Sequence, residues 1–173
     1  MTTGPDVARF DAWPEDEARR RLLTCLDVPR WADEVVAGRP YTDLGALEDR
    51  MTAVAATVTD DELARALARH PRIGERADAS RHEAAHSARE QSGVDRGDAD
   101  LLRALEEANH AYEERFDRVF IIRAAGRTGR DVLDELARRL DNTPAAERTE
   151  TVGQLTQIAV LRLREALSSE EST

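Results

Sequence analysis

Four groups of side chains in this chain have the types and spacing to do chemistry. The first is His70, in His70-Pro71-Arg72-Ile73-Gly74-Glu75, placed where an apolar-periodic stretch has just run out. Histidine exchanges protons near neutrality, and the proline and glycine behind it favour a helix stop and a sharp bend. The imidazole is thus held at a corner. There it either serves as a general acid and base or only closes a helix end, complementing the last carbonyls and the dipole. The second is Arg162, three residues past Ala159 and four past Ile158 in the apolar stripe Leu155, Ile158, Ala159, Ala166. A guanidinium aimed at a core cannot shed its charge and must find an anion or several acceptors, unless it snorkels at the edge. Arg164 projects away from that stripe and reads as surface.

The third group lies in the stretch 80–94, where Ser87, Glu90 and Gln91 bring a hydroxyl, a carboxylate and an amide into one arc. That arc suits a small ligand rich in N–H and C=O groups, and equally a solvated face on an Ala-rich helix. The fourth is His82-Glu83-Ala84-Ala85-His86, which satisfies the H-E-x-x-H pattern of zinc hydrolases. Both imidazoles fall opposite Ala84, Ala88 and Val94, on the solvent side. A zinc cleft turns its ligands inward with a third at hand, for which only Glu106 or Glu107 offers itself. The expectation is therefore no metal. Cys25 follows Leu22 and Leu23 in a helical pattern and reads as packing. Neither a Gly-x-Ser-x-Gly elbow nor a Gly-x-Gly-x-x-Gly loop occurs.

Composition narrows the chemistry further. All 25 Lys-or-Arg positions are arginine, so Schiff-base and pyridoxal-phosphate chemistry and a Walker-type lysine loop are excluded. The formal net charge of -10 argues against nucleic acid or an anionic membrane as partner. No stretch is apolar enough to span a bilayer, and the first residues lack an export pattern. One cysteine excludes an intrachain disulfide and suits a reducing cytoplasm.

The elements that position these groups are predicted to be helices, because the chain is Ala-, Leu-, Arg- and Glu-rich with few β-branched runs. The periodicity predicts helices over 6–13, 14–26, 29–38, 43–58, 60–69, 80–94, 99–116, 128–140 and 144–167. Thr59 with Glu62 gives a capping box, Thr128 with Asp131 a helix start, and Thr143-Pro144 a cap and first turn. Val119-Phe120-Ile121-Ile122 is predicted to be a buried connector, having no second strand to pair with. The fold class is all-α: one compact domain of about eight helices over 1–173, with 168–173 a frayed tail.

With these residues in view, the chain resembles the 2-oxo-4-hydroxy-4-carboxy-5-ureidoimidazoline (OHCU) decarboxylases of urate breakdown. The resemblance rests on the His70 hexapeptide, Ser87-x-x-Glu90-Gln91, Asn109-x-x-Tyr112-x-x-x-Phe116, Phe120-Ile121-Ile122 with Gly126-Arg127, and Ile158-x-x-x-Arg162-Leu163. These five blocks come in the family's order and span about residues 20–167. The resemblance implies an all-α, homodimeric cytoplasmic enzyme without metal or organic cofactor, which decarboxylates an anionic ureidoimidazoline to (S)-allantoin. It implies catalytic roles for His70, Glu90 and Arg162, and substrate binding at Pro71, Ser87, Gln91 and the backbone of Ile121, Ile122, Arg123 and Ala124. Asp117 stands where the family commonly has Gly, and Gln157 where it commonly has Lys; both bear on loop shape more than on catalytic identity. A zinc hydrolase built on His82, Glu83 and His86, and a non-catalytic helical interaction module, are the alternatives.

Overall fold

The computed structural model describes residues 5–73 and 99–169. Among these residues there are eight helices and no strand: α1 Pro5–Ala12, α2 Glu15–Cys25, α3 Pro29–Ala37, α4 Leu44–Ala55, α5 Asp60–Leu67, α6 Ala99–Phe116, α7 Gly129–Leu140 and α8 Pro144–Ser168. The predicted helix over 80–94 lies outside the described residues.

Local chemistry starts most of these helices. Pro29 occupies the first turn of α3, where its missing N–H costs nothing. The Asp43 carboxylate accepts from the Ala46 N–H at 2.8 Å to cap α4. Thr59 and Glu62 close a capping box on α5, at 2.8 Å for the Thr59 N–H and 3.2 Å for the Glu62 N–H. Thr128 and Asp131 do the same for α7, and the Thr143 hydroxyl accepts from the Ala146 N–H at 3.2 Å to open α8.

Two helices end earlier than their periodicity predicts. α4 stops at Ala55 rather than near residue 58, because the Thr57 N–H and hydroxyl both turn back to the Val54 carbonyl, at 3.0 and 2.8 Å. α5 stops at Leu67 rather than residue 69. Pro71 disfavours the helical conformation for His70, and the His70 N–H closes a tighter turn on the Leu67 carbonyl at 2.9 Å.

The described chain divides into two compact units. One comprises residues 5–66 with 155–169, the other residues 67–73 with 99–154. In the first, α3 packs on α2 and α4, and α1 on α4. Phe10, Leu22, Trp31, Leu47 and Met51 are fully buried there. The Trp31 indole donates to the Met51 carbonyl at 2.9 Å, so the largest side chain of this core leaves no orphaned donor. Gly38 is needed where it stands, since a Cβ there would come within 2.3 Å of the Tyr41 hydroxyl oxygen. Leu155, Ile158, Ala159 and Leu163 carry the apolar stripe of α8 into this unit; Ala166, assigned to the stripe, is half-buried.

In the second unit α6 packs on α7. Ile73, Leu101, Leu105, Tyr112, Phe116, Phe120, Ile122, Val132 and Leu136 form one apolar cluster. Tyr112 is its hinge, with ring centroids 4.9 Å from Phe116 and 5.2 Å from Phe120. The run Val119-Phe120-Ile121-Ile122 is the predicted connector: unpaired by any strand, with Phe120, Ile121 and Ile122 buried. It ends in a turn closed by the Arg127 N–H on the Ala124 carbonyl at 3.0 Å. Gly126 takes the third position with φ +79, a conformation that favours glycine.

Candidate active site

His70 leaves α5 half-buried, on a corner that α6 ties down at two points. The Asn109 amide, one of the few buried polar groups, donates to the Ile73 carbonyl at 3.2 Å. One turn further along α6, Glu113 takes Arg72 in a two-pronged ion pair, Nε to Oε1 and Nη2 to Oε2 at 2.6 Å. The Arg72 hydrogen bonds hold the Glu113 carboxyl below the usual carboxylate range. Residues 70–73 are thus fixed from a rigid helix rather than by their own loop geometry. On this stretch of α6 the structure buries the polar Asn109 and leaves its apolar neighbour Ala108 half-buried.

Arg162 lies in the first unit, on α8, and is half-buried. Its Nη1 lies 3.4 Å from the Thr24 carbonyl at the end of α2. Cys25 is next to that carbonyl, 3% exposed, with its thiol turned to the Arg21 carbonyl at 3.3 Å. Burial pushes the Cys25 thiol up to about 12, against a smaller opposite pull from Arg162. A thiol that stays protonated is a packing group. Arg164 points outward, as its position predicts, and pairs with Glu48 at 2.6 and 2.7 Å.

The connector 121–124, assigned to substrate binding, is held in the second unit by a polar cluster that periodicity did not single out. Arg139 is fully buried on α7. Its Nη1 donates to the Ile121 carbonyl at 2.7 Å, its Nε to Glu147 Oε1 at 2.9 Å, and its Nη2 to Glu147 and to the Thr151 hydroxyl. The guanidinium carbon lies 4.6 Å from the Phe120 ring centroid. Glu147 also accepts from the Tyr112 hydroxyl and, at 2.8 Å, from the Asn142 amide. Burial pushes the Glu147 carboxyl up, but the hydrogen bonds from Arg139, Tyr112 and Asn142 outweigh it and leave it lowered. Burial and the bond to Glu147 push the Tyr112 hydroxyl up to about 12. From the same helix as Glu147, the Gln154 side-chain carbonyl accepts from the Arg123 N–H at 2.9 Å.

A signal for this cluster was present in the sequence. Arg139 falls on the Val132–Leu136 stripe of α7, at i+7 and i+3, and Glu147 and Thr151 fall on the stripe that reaches Leu155. A charge inside an apolar stripe needs a buried partner, though neither stripe alone says which helix supplies it.

The other expected positions divide plainly. Pro71 is half-buried beside His70, whereas Ser87, Glu90 and Gln91 lie outside the described residues, as do His82, Glu83 and His86. Among the described residues no group of three His, Cys, Asp or Glu side chains is placed to hold a metal ion. None of the described helices is long and apolar enough to cross a membrane.

Over 143 residues the chain is 32% identical to the 2-oxo-4-hydroxy-4-carboxy-5-ureidoimidazoline decarboxylase of Mus musculus, covering 82% of this chain and 80% of that one. It is 24% identical over 144 residues to the uric acid degradation bifunctional protein of Bacillus sp. (strain TB-90), of whose length it spans only 28%. The fold matches the crystal structure of OHCU decarboxylase in the presence of (S)-allantoin with a TM-score of 0.70 at 22% identity, covering 90% of this chain and 99% of that one. Residues 11–164 match the family profile described as OHCU decarboxylase. On that span, the chain belongs to the OHCU decarboxylase family.

Proposed function

We propose that this chain decarboxylates 2-oxo-4-hydroxy-4-carboxy-5-ureidoimidazoline to (S)-allantoin, as a step in urate degradation, and that His70, Glu90 and Arg162 are its catalytic residues. The observation that carries the reading is the family match over 11–164, a span that contains His70, Glu90 and Arg162. The matched span runs through both compact units, which supports treating the chain as one functional domain.

The chemistry suits these side chains. As the C–CO₂ bond breaks, its electron pair moves into the adjacent ring C=N, so the substrate is its own electron sink and neither lysine nor cofactor is required. Arg162 orients the leaving carboxylate through paired donors. Glu90, Gln91 and Ser87 hold the ureido and ring N–H groups, keeping the breaking bond out of the ring plane. His70, fixed by Pro71 and the α6 anchors, exchanges the hydroxyl proton and the proton that forms the new C–H bond. Delivery from one face gives one enantiomer. The backbone of Ile121, Ile122, Arg123 and Ala124 completes the binding surface. The reading includes a homodimer, as the family resemblance implies, and a cytoplasmic setting, which the single protonated, buried thiol of Cys25 suits.

The test follows CO₂ release and the dichroism of allantoin from freshly generated urate oxidation product. His70→Ala and Arg162→Ala are each expected to lower turnover about a hundredfold or more, with helix content unchanged by far-UV dichroism. Full activity in either variant would remove that residue from the mechanism. Absence of turnover by the parent chain would overturn the reading.

A further inference from the structure

The polar cluster behind the connector does something that packing alone does not require. A fully buried charged pair gains little over apolar side chains of the same volume, because desolvation offsets the attraction. Arg139 and Glu147 are 0% and 1% exposed, so the pair is costly to keep for stability alone. What an apolar replacement could not reproduce is the bond from Arg139 Nη1 to the Ile121 carbonyl at 2.7 Å. A second bond, from the Arg123 N–H to Gln154 Oε1 at 2.9 Å, grips the chain two residues later.

These two bonds fall on the two peptide groups that flank Ile122. Both peptides are trans, and in a trans peptide the C=O and N–H point in opposite directions. Fixing the Ile121 carbonyl on Arg139 therefore turns the Ile122 N–H away from the guanidinium. Fixing the Arg123 N–H on Gln154 likewise turns the Ile122 C=O away from α8. The Ile122 side chain is anchored in the apolar cluster with Phe120 and Val132, so the residue cannot swivel. One donor and one acceptor are left aimed by this frame.

The geometry points to Arg139 and Gln154 as positioning residues: they set the direction of the Ile122 N–H and C=O, which then read the complementary C=O and N–H of the substrate's ureido group. The inference rests on the proposed decarboxylase reading. It adds a specificity device to it, since a ligand lacking a neighbouring N–H and C=O pair would leave the aimed groups unanswered.

The test uses the full chain and the variants Gln154→Met, which removes the acceptor at similar volume, and Gln154→Glu, which keeps it. Gln154 is half-buried, so both variants are expected to fold. Arg139→Lys is a third, harsher variant. Hydrogen exchange of the Arg123 amide is measured without substrate, and KM and kcat with it. Gln154→Met is expected to expose the Arg123 amide to faster exchange and to raise KM about tenfold with kcat within about twofold, the pattern of a lost binding contact. Gln154→Glu is expected to restore both. A merely structural role would lower the active fraction, and so apparent kcat, without moving KM. Unchanged KM in Gln154→Met, or unchanged exchange at Arg123, overturns the inference. An inactive parent chain sinks the decarboxylase reading instead, and is seen before any variant is made.

Discussion

At the scale of single residues, Asp117 shows what one backbone angle asks of a position where the resemblance leads one to expect glycine. It follows the last residue of α6 with φ +51, its N–H closing on the Glu113 carbonyl at 2.8 Å. This is the left-handed position that commonly ends a helix and that glycine occupies most readily. Aspartate tolerates it better than most side chains but still carries strain of up to about 1–2 kcal/mol, while glycine adds about 0.5–1 kcal/mol of chain entropy to the unfolded state. Asp117→Gly is therefore expected to raise stability by about 0.5 kcal/mol. Asp117→Val is expected to lower it by about 1 kcal/mol or more. Urea midpoints of the three proteins check the order. The residue's oddity was legible in the sequence as a missing glycine; the reason, a positive φ, was not, because nothing local distinguishes Asp in a helix from Asp just past its end. Gln157, the other departure, is exposed, and nothing in the structure explains it.

At the scale of elements, α6 does most of the positioning, and one of its bonds can be titrated. The Glu113 carboxyl is lowered by its hydrogen bonds from Arg72, so the pair's contribution to stability is complete above the ordinary glutamate value of about 4.3. It is lost as pH falls through the lower folded-state value. Arg72 is 38% exposed, which screens the pair and keeps the effect near 0.5 kcal/mol. Thermal unfolding of the parent and of Glu113→Gln should differ at pH 7 and converge near pH 3; a gap that persists at pH 3 would mean the bond is not what separates them. Helix starts were legible because caps are local: Thr59 with Glu62 and Thr128 with Asp131 announce themselves within four residues. The buried Arg139–Glu147 pair was not read, because the two stripes that contain it belong to different helices and their pairing is a tertiary fact. The corner at residues 70–73 was legible in outline from Pro71, whereas its attachment through Asn109 and Glu113 was not.

At the scale of the whole molecule, the formal net charge of -10 opposes the approach of an anionic substrate. Salt screens that repulsion over about 10 Å at 0.1 M. The value of kcat/KM is expected to rise about two- to threefold between roughly 0.01 and 0.15 M ionic strength. A fall over the same range, measured by stopped-flow dichroism, would mean that the field of local arginines outweighs the total. Fold class was legible from composition and periodicity, since an Ala- and Leu-rich chain with few β-branched runs has no other economical way to bury its apolar residues.

Both indoles of the protein, Trp13 and Trp31, are buried within the first unit, the Trp13 ring capped by the Arg21 guanidinium 4.2 Å from its centroid. Tryptophan emission therefore reports directly on the core of that unit. A denaturation curve followed by that signal observes the first unit's core directly, whereas the second unit is watched through the phenol absorbance of Tyr112 in a Tyr41→Phe variant, since Tyr41 lies in the first unit.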